Sequence, residues 1–224
     1  MRQRPALLVF ITAMYAGPSS VQADQGHDPA PAEPERASSV LLTDFTEDEL
    51  NARWRAVNDD VMGGRSMGGI AFEQDEANDE AWMRMSGSIN TNGGGFTSAR
   101  MSVDRSAVPD PEIFDAYQSV RLRIRLGEGA AGRPLALRLE DDVRRRLGIN
   151  FRAVLPIDPQ VPEGQWQTLT VRLADLAPTH HGNRLDPTRW APLDASRVVR
   201  LGIMLNDTHD GPYVFDVGSV ELVR

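Results

Sequence analysis

The chain has 224 residues, of which 32 are acidic and 24 are lysine or arginine, and its formal net charge is -8 at pH 7. A chain this acidic is repelled by the phosphates of nucleic acids and by anionic lipid surfaces, so nucleic acid is not an expected partner. The sequence contains no cysteine, which excludes disulfides, thiolate metal ligands and a cysteine nucleophile.

The N-terminus predicts a secretory signal peptide over residues 1–23. Arg2 and Arg4 precede an apolar stretch at residues 6–16, and the Val-Gln-Ala sequence at residues 21–23 is a small-residue cleavage pattern. The apolar stretch is too short for a membrane-spanning helix, which needs about 20 residues. We therefore expect a periplasmic or secreted protein without a stable membrane anchor; an uncleaved anchor is the alternative.

Residues 24–39 predict a flexible linker, and residues 40–224 predict a single globular domain. The linker is polar and carries Pro29, Pro31 and Pro34, a composition typical of extended, solvated chain. After it, short apolar segments alternate with turns rich in Gly, Pro, Asn and Asp. A domain of this size can bury enough apolar surface to fold without disulfides.

About ten short segments of the domain have the pattern of β-strands. They lie at residues 40–42, 70–72, 81–89, 95–101, 120–126, 135–139, 147–151, 169–173, 199–205 and 213–222. In residues 120–126, apolar side chains alternate with three arginines, as in a strand with one buried face. We expect those arginines to be solvated and paired with acidic residues across strands. Because no long segment has helical periodicity, the sequence predicts an all-β fold, an antiparallel jelly-roll β-sandwich.

One short helix is predicted after Thr46. Thr46 and Glu49 have the spacing of a capping box, and Leu50 and Trp54, four residues apart, would share one helix face. Residues 174–197, by contrast, predict a long irregular connection, and connections of this length are often functional.

Two glycine-rich motifs carry the candidate binding residues. The first reads Asn-Asp-Asp-Val-Met-Gly-Gly-Arg-Ser over residues 58–66, and the second reads Gly-Gly-Phe-Thr-Ser-Ala-Arg over residues 94–100. The predicted partner- or ligand-binding residues are Asn58, Asp59, Asp60, Met62, Gly63, Gly64, Ser66, Gly94, Gly95, Phe96, Ser98 and Arg100. Glycines would shape the loops, polar side chains would hydrogen-bond, and Met62 and Phe96 would make apolar contacts. The alternative is that these residues only join two neighbouring loops and contact no partner.

These two motifs, in this order, resemble the complex I intermediate-associated protein 30 family. Weaker matches are Trp166 before a strand, Leu-Gly-Ile at residues 201–203 and Tyr-Val-Phe at residues 213–215, so the similarity runs from about residue 42 to residue 223. The resemblance implies a galactose-binding-domain-like β-sandwich. It also implies an assembly chaperone rather than an enzyme, since the mitochondrial members of the family assemble respiratory complex I.

Two further motifs, a hydrolase-like serine pattern and a pair of histidines, do not predict an active site or a metal site. Gly64, Ser66 and Gly68 fit the G-x-S-x-G pattern of hydrolases, but a strand-like segment follows them instead of the helix that a nucleophile elbow requires. His180 and His181 are adjacent, so their side chains diverge on any regular element, and no set of three or four zinc ligands can be assembled from the sequence. The sequence thus predicts no catalytic residue, no metal site and no cofactor.

The function that fits these observations is that of a non-catalytic protein-binding factor, an assembly or chaperone-like protein of the cell envelope. Its partner would be an unidentified protein of the envelope or of a respiratory complex. The alternative is a carbohydrate-binding module, since β-sandwiches of this class often bind sugars at their loop ends.

Overall fold

The computed structural model of the protein describes residues 39–103 and 117–224. The predicted signal peptide lies outside the described residues, and so does the predicted linker except for its last residue, Ser39, which begins the first strand. No helix within the described ranges is both long enough and apolar enough to cross a membrane.

The described residues form thirteen strands and one short α-helix, and this architecture confirms the predicted all-β jelly-roll sandwich. The elements are β1 (Ser39–Thr43), α1 (Asp48–Asn51), β2 (Trp54–Asn58), β3 (Met67–Asp75), β4 (Glu80–Ile89), β5 (Phe96–Ser102), β6 (Ser119–Leu126), β7 (Leu135–Asp141), β8 (Ile149–Val154), β9 (Trp166–Arg172), β10 (Ala177–His180), β11 (Asn183–Arg184), β12 (Val198–Asn206) and β13 (Gly211–Val223).

Two antiparallel sheets divide these strands. The six-stranded sheet has the order β3-β4-β13-β6-β9, with β1 also paired to β13, and the seven-stranded sheet has the order β11-β10-β8-β7-β12-β5-β2. In the six-stranded sheet, β6 and β9 alternate between buried and more exposed positions, whereas β7 and β12 in the middle of the other sheet are buried along most of their length. The apolar faces of the two sheets pack against each other and form the core. Its largest fully buried side chains come from both sheets and include Met83, Leu122, Phe215, Leu137 and Phe151.

The predicted helix is shorter than expected, and its capping box does not form. Helix α1 spans only Asp48–Asn51 and has no side-chain cap. The Thr46 hydroxyl instead donates to Asp44 at 2.7 Å. Trp54 lies not on a helix but on β2, where it is 2% exposed and packs against Phe45 with 5.7 Å between ring centroids. Burial of a large indole in the core therefore outweighs the local capping signal.

Four other segments differ from the sequence-based prediction. Strand β2 was not predicted, and the 174–197 connection contains β10 and β11, which extend one edge of the seven-stranded sheet. Leu147 and Leu173, predicted as strand residues, lie in short 3₁₀ turns. Edge strands and turns bury few apolar side chains, so they carry little of the alternation that identifies a central strand.

The arginine face of β6 is paired, as the alternation predicted. The ion pairs are Arg121 with Glu221 at 3.2 Å, Arg123 with Glu80 at 2.8 Å and Arg125 with Asp216 at 2.7 Å. The guanidinium of Arg123 also lies 4.2 Å from the centroid of a Trp166 ring. Each arginine on the outer face of this strand thus has a carboxylate partner within the fold.

Candidate functional site

Asp59 links the two glycine-rich motifs. It begins the 3₁₀ turn Asp59–Met62, and its carboxylate is fully buried. Four hydrogen bonds reach that carboxylate, from the Ser66 N–H at 2.8 Å, the Ser66 hydroxyl at 2.6 Å, the Gly95 N–H at 2.6 Å and the Phe96 N–H at 3.3 Å. The first motif therefore supplies the charge, and both motifs supply its donors.

The hydrogen bonds keep Asp59 ionised. Burial acts to raise its pKa, but the bonds from the Gly95 N–H, the Ser66 hydroxyl, the Ser66 N–H and the Phe96 N–H outweigh burial and hold the pKa of Asp59 below its usual value. A buried carboxylate that accepts several N–H and O–H groups is a strong structural link, because charged hydrogen bonds are stronger than neutral ones.

Two of the predicted glycines are required by the closeness of Asp59. A Cβ atom at Gly64 would lie 2.1 Å from Cγ of Asp59, and a Cβ atom at Gly94 would lie 2.3 Å from its Oδ2. Neither distance is possible for a real side chain. Gly63 is required for a different reason, since it ends the 3₁₀ turn with a φ of 85°, in the left-handed region that favours glycine.

Several other predicted residues are also engaged within the fold. The Asn58 side-chain amide donates to the Gly68 carbonyl at 3.1 Å, and Oδ1 of Asp60 accepts from the Val61 N–H at 3.0 Å. The Ser98 hydroxyl donates to the Val57 carbonyl at 2.9 Å. The geometry thus gives many members of the predicted set a loop-joining role.

Four of the predicted residues line a surface cleft. Met62, Gly94, Phe96 and Arg100 line this cleft, which has a volume of about 430 Å³ and lies on the outer face of the seven-stranded sheet. We call it the arginine cleft, because further arginines line its floor. Most of the predicted residues therefore build the loops, Met62 and Arg100 face the cleft, and Gly94 and Phe96 do both.

A row of three arginines crosses the floor of the cleft. Arg100 on β5 is opposite Gly202 on β12, Gly202 is opposite Arg138 on β7, and Arg138 is opposite Arg152 on β8. Arg100, Arg138 and Arg152 are called the arginine row below. Sequence reasoning missed Arg138 and Arg152, although the alternation of Leu135, Leu137 and Leu139 already placed residue 138 on the outer face. It could not show which strands are neighbours.

Among the described residues, Glu140 is the carboxylate at ion-pair distance from a member of the arginine row, and no Asp or Glu side chain of the described ranges lines the cleft itself. Glu140 is 3% exposed and pairs with Arg138, with Arg200 at 3.3 Å and with Arg145 at 3.6 Å. Arg100 and Arg152 form no ion pair within the described ranges. Arg100 donates to the Ser98 hydroxyl at 2.9 Å, and Arg152 donates to the Gly182 carbonyl at 2.8 Å.

Burial and mutual repulsion lower the pKa values of the arginine row. Burial, with the charge of Arg138 as the next cause, lowers the pKa of Arg100 to about 10. Burial also lowers the pKa of Arg138, against the opposing effect of Glu140, and the pKa of Arg152, where the charge of Arg138 adds to it. Since about 10 is still well above neutrality, Arg100 remains charged at pH 7.

The hydrolase motif has no exposed nucleophile. The Ser66 hydroxyl, buried with the rest of the side chain, donates to Asp59 and accepts from the Asn90 N–H at 3.0 Å. Strand β3, not a helix, follows it. The rings of His180 and His181 lie 4.1 Å apart, but within the described part of the chain no three His, Asp or Glu side chains are placed to hold a metal ion.

The sequence matches one protein family over most of its length. The model of the complex I intermediate-associated protein 30 family matches residues 43–217, a range that contains both glycine-rich motifs and the whole arginine row. No similar protein was found among the curated proteins.

Two of the solved structures with a similar fold are carbohydrate-binding modules. The family 11 module from Clostridium thermocellum, in complex with a β-1,3-1,4-mixed-linked tetrasaccharide, is 14% identical, with a TM-score of 0.58 over 83% of this chain and 95% of that chain. The family 11 module of a cellulosomal cellulase of Clostridium thermocellum is also 14% identical, with a TM-score of 0.54 over 83% of this chain and 94% of that chain. At this identity the likeness shows a shared β-sandwich fold.

Proposed function

The chain belongs to the complex I intermediate-associated protein 30 family, and from that premise we propose that it is a non-catalytic assembly factor that holds a protein partner at the arginine cleft. The N-terminal sequence supports a site of action in the cell envelope, where the partner is a protein of the envelope or of a respiratory complex.

The composition of the cleft and its rim is the observation that carries this proposal. Val61 and Met62, on the rim, are 70% and 54% exposed. Large apolar side chains rarely remain this exposed unless something covers them. Methionine and arginine are both enriched in protein–protein interfaces, so a floor of arginines with an apolar rim is typical of a surface for a protein.

The chemistry of the site supports binding rather than catalysis. Asp59 and Ser66, which could otherwise act as a base and a nucleophile, are buried and hydrogen-bonded to each other at 2.6 Å. General acid–base and nucleophilic catalysis both need such groups within reach of a substrate. The arginine row can bind and orient an anionic group, but arginine side chains stay protonated at neutral pH and so do not supply a general base.

Site-specific cross-linking in the producing cell tests the proposal. A photoreactive phenylalanine analogue at position 62 is expected to capture the same envelope or respiratory protein in repeated experiments, identified by mass spectrometry. The matched control carries the analogue at position 41, because Leu41 is similarly exposed at 52% but lies on β1 of the other sheet. Capture of nothing specific at position 62, from a folded and abundant protein, would reject the proposed function.

Carbohydrate binding is the second candidate function, and the likeness to a module that binds a mixed-linked tetrasaccharide is what favours it. The mixed-linked tetrasaccharide itself is the probe. A ligand that binds only the folded state raises the thermal midpoint, so a rise in midpoint that Phe96→Ala abolishes would support this candidate. Against it stands the composition of the cleft, whose lining among the described residues includes no Trp or Tyr and only Phe96 and the imidazole of His181 as rings, beside three arginines.

A further inference from the structure

We propose that the arginine row binds an acidic segment of the protein partner, with carboxylates of one extended peptide seated on Arg100, Arg138 and Arg152. This inference rests on the proposed function, since it names the chemistry by which that partner is recognised at the same cleft. It concerns residues that the two glycine-rich motifs only partly contain, because Arg138 and Arg152 belong to β7 and β8.

The spacing of the row suits several carboxylates side by side. Arg138 and Arg152 lie on neighbouring strands, and Arg100 lies two strands from Arg138. Because neighbouring strands are about 4.8 Å apart, the backbones of the three arginines are spaced at about one and two times that distance. Gly202, between them, has no side chain to fill the gap. A Cβ at that position would lie 2.8 Å from the Ala99 carbonyl oxygen and 3.1 Å from Cγ of Arg100, so the close approach of β5, and of the Arg100 side chain with it, favours glycine there.

The balance of charge in the cleft calls for an anion. Besides the arginine row, Arg200 and Arg145 approach the same region, and Glu140 is the carboxylate that they share with Arg138. Like charges at directly opposite positions on neighbouring strands destabilise a sheet, and Arg138 and Arg152 are such a pair. A partner carboxylate would remove that repulsion and accept paired N–H donors from a guanidinium.

The arginines on the outer face of the six-stranded sheet differ from the arginine row in their ion pairing. Each of the three arginines on the outer face of β6 forms an ion pair with a carboxylate, although Arg125 shares Asp216 with Arg84. Arg100 and Arg152 have no carboxylate at ion-pair distance among the described residues, although Glu140 acts on Arg100 from farther away, in a chain whose formal net charge is -8. An acidic protein that keeps cations unpaired in one cleft has the charge distribution of an anion-binding surface.

The rim decides which kind of anion is favoured. Exposed Val61 and Met62 border the cleft, and Met204 lies on its floor, so an occupant must cover apolar side chains as well as neutralise guanidinium groups. A peptide that mixes acidic and apolar residues does both. An acidic polysaccharide supplies the carboxylates without the apolar side chains, which makes it the competing outcome of the test.

Binding of a defined peptide to the purified protein tests the inference. The probe is a capped eight-residue peptide alternating glutamate and leucine, with a glutamine twin as its neutral control, followed by NMR at peptide concentrations up to the millimolar range. We expect the glutamate peptide to shift the Nε–Hε signals of the arginine row and the glutamine twin to leave them in place. Absence of any shift, or equal binding of the twins, would overturn the inference.

Substitutions within the row provide the second arm. Arg100→Met and Arg152→Met should each weaken peptide binding about tenfold or more, whereas Arg121→Met, an identical charge change on the six-stranded sheet, should leave it unchanged. The thermal midpoint of the free Arg100→Met protein should stay the same or rise, because a repelled charge is removed. A fall of several degrees in both row variants would show that the row is structural and would overturn the inference.

Two further results separate this inference from the proposed function. If trigalacturonic acid binds the row more tightly than the glutamate peptide, the acidic-segment proposal is wrong and an acidic glycan takes its place. If position 62 captures a protein partner but Arg100→Met and Arg152→Met leave capture undiminished, the proposed function stands and this inference fails. If the glutamate peptide binds the arginine row but position 62 captures no protein, the row is a binding site for acidic peptides and the proposed function is wrong.

Discussion

Asp59 is a charged side chain without access to solvent, and its environment explains why several neighbours must be small. Its carboxylate accepts donors from both glycine-rich motifs, while Gly64 and Gly94 leave the space that the carboxylate occupies. Many residues of the two glycine-rich motifs, which in the sequence suggest a ligand-binding loop, therefore surround one buried carboxylate. The residues left for a partner are those that face outward, such as Met62 and Arg100.

Replacing the charge should destabilise the fold. In Asp59→Asn the amide N–H₂ would face backbone donors, so buried N–H groups lose their acceptor, and we expect a loss of about 3 kcal/mol in the free energy of unfolding. Asp60→Asn is the matched control: its carboxylate is exposed and accepts one local hydrogen bond, so its effect should stay within about 0.5 kcal/mol. Denaturant titration measures both, and equal effects would contradict the assigned role.

The same charge should make stability depend on pH in a defined direction. The pKa of Asp59 is lowered in the folded state, relative to about 3.9 for an unfolded aspartate. Its contribution is thus complete above the unfolded pKa and is lost as the pH falls through the folded pKa. We expect the stability difference between the parent protein and Asp59→Asn to be constant from pH 7 to 5 and to narrow below pH 4. A difference that widens there would contradict the lowered pKa.

The glycine requirement can be tested with alanine. Gly64→Ala should cost about 2 kcal/mol or more, since its Cβ would overlap the Asp59 carboxylate. Gly69→Ala is the control, because a Cβ there has nothing within 4 Å, and a change within about 0.5 kcal/mol is expected. If the overlap is the cause, Gly64→Ala should cost much less when Asp59 is also alanine, which a double-mutant cycle would show.

Among the elements, β13 has the most paired neighbours: it hydrogen-bonds to β1, β4 and β6. On its outer face Asp216, 4% exposed, accepts hydrogen bonds from Arg84 at 2.9 Å and from Arg125 at 2.7 Å. This carboxylate therefore joins three adjacent strands of the six-stranded sheet through charged hydrogen bonds.

Two substitutions on β13 should differ sharply. Asp216→Asn leaves two partly buried guanidinium groups without their carboxylate, and we expect a loss of about 3 kcal/mol in the free energy of unfolding. Glu221→Gln, on the same strand, removes a pair whose Arg121 side chain is 38% exposed, and should cost less than about 1 kcal/mol. Comparable losses in denaturant titrations would mean that burial does not set the strength of these pairs.

The sequence predicted the strands whose apolar residues alternate, but it did not predict the cleft on the seven-stranded sheet. The apolar alternation of β6 identified both its buried face and its paired arginine face. Strand β2 shows no such pattern, since its residues after Trp54 are exposed or half-buried. Arg138 came from a strand that was predicted, but its position beside Arg152 and across Gly202 depends on long-range strand order, which local periodicity does not contain.

In the molecule as a whole, negative net charge and a cationic cleft occur together. The formal net charge is -8, yet the floor of the arginine cleft carries more guanidinium groups than carboxylates among the described residues. The outer face of the six-stranded sheet, with its paired arginines, has no comparable excess on β6. Approach of an acidic partner would thus be favoured toward one face only.

This polarity predicts a salt dependence. Raising sodium chloride from about 0.05 to 0.5 M should weaken binding of the glutamate peptide about tenfold, because salt screens charges that are partly open to solvent. Binding of the mixed-linked tetrasaccharide, if it occurs, should change little over the same range. Isothermal titration calorimetry at several salt concentrations distinguishes the two, and a salt-independent peptide affinity would contradict an electrostatic interface.

The Asp59 carboxylate also constrains how the cleft can move. Ser66 and Gly95 donate to the same buried carboxylate. If either loop moved away, the Asp59 carboxylate would lose hydrogen bonds while it stayed buried against the other loop. The two loops are therefore expected to open in one cooperative event of high free energy rather than to fluctuate separately. The end of the cleft next to Met62 and Phe96 would then be rigid and preformed. Little of the binding free energy of an occupant would be spent on ordering these loops.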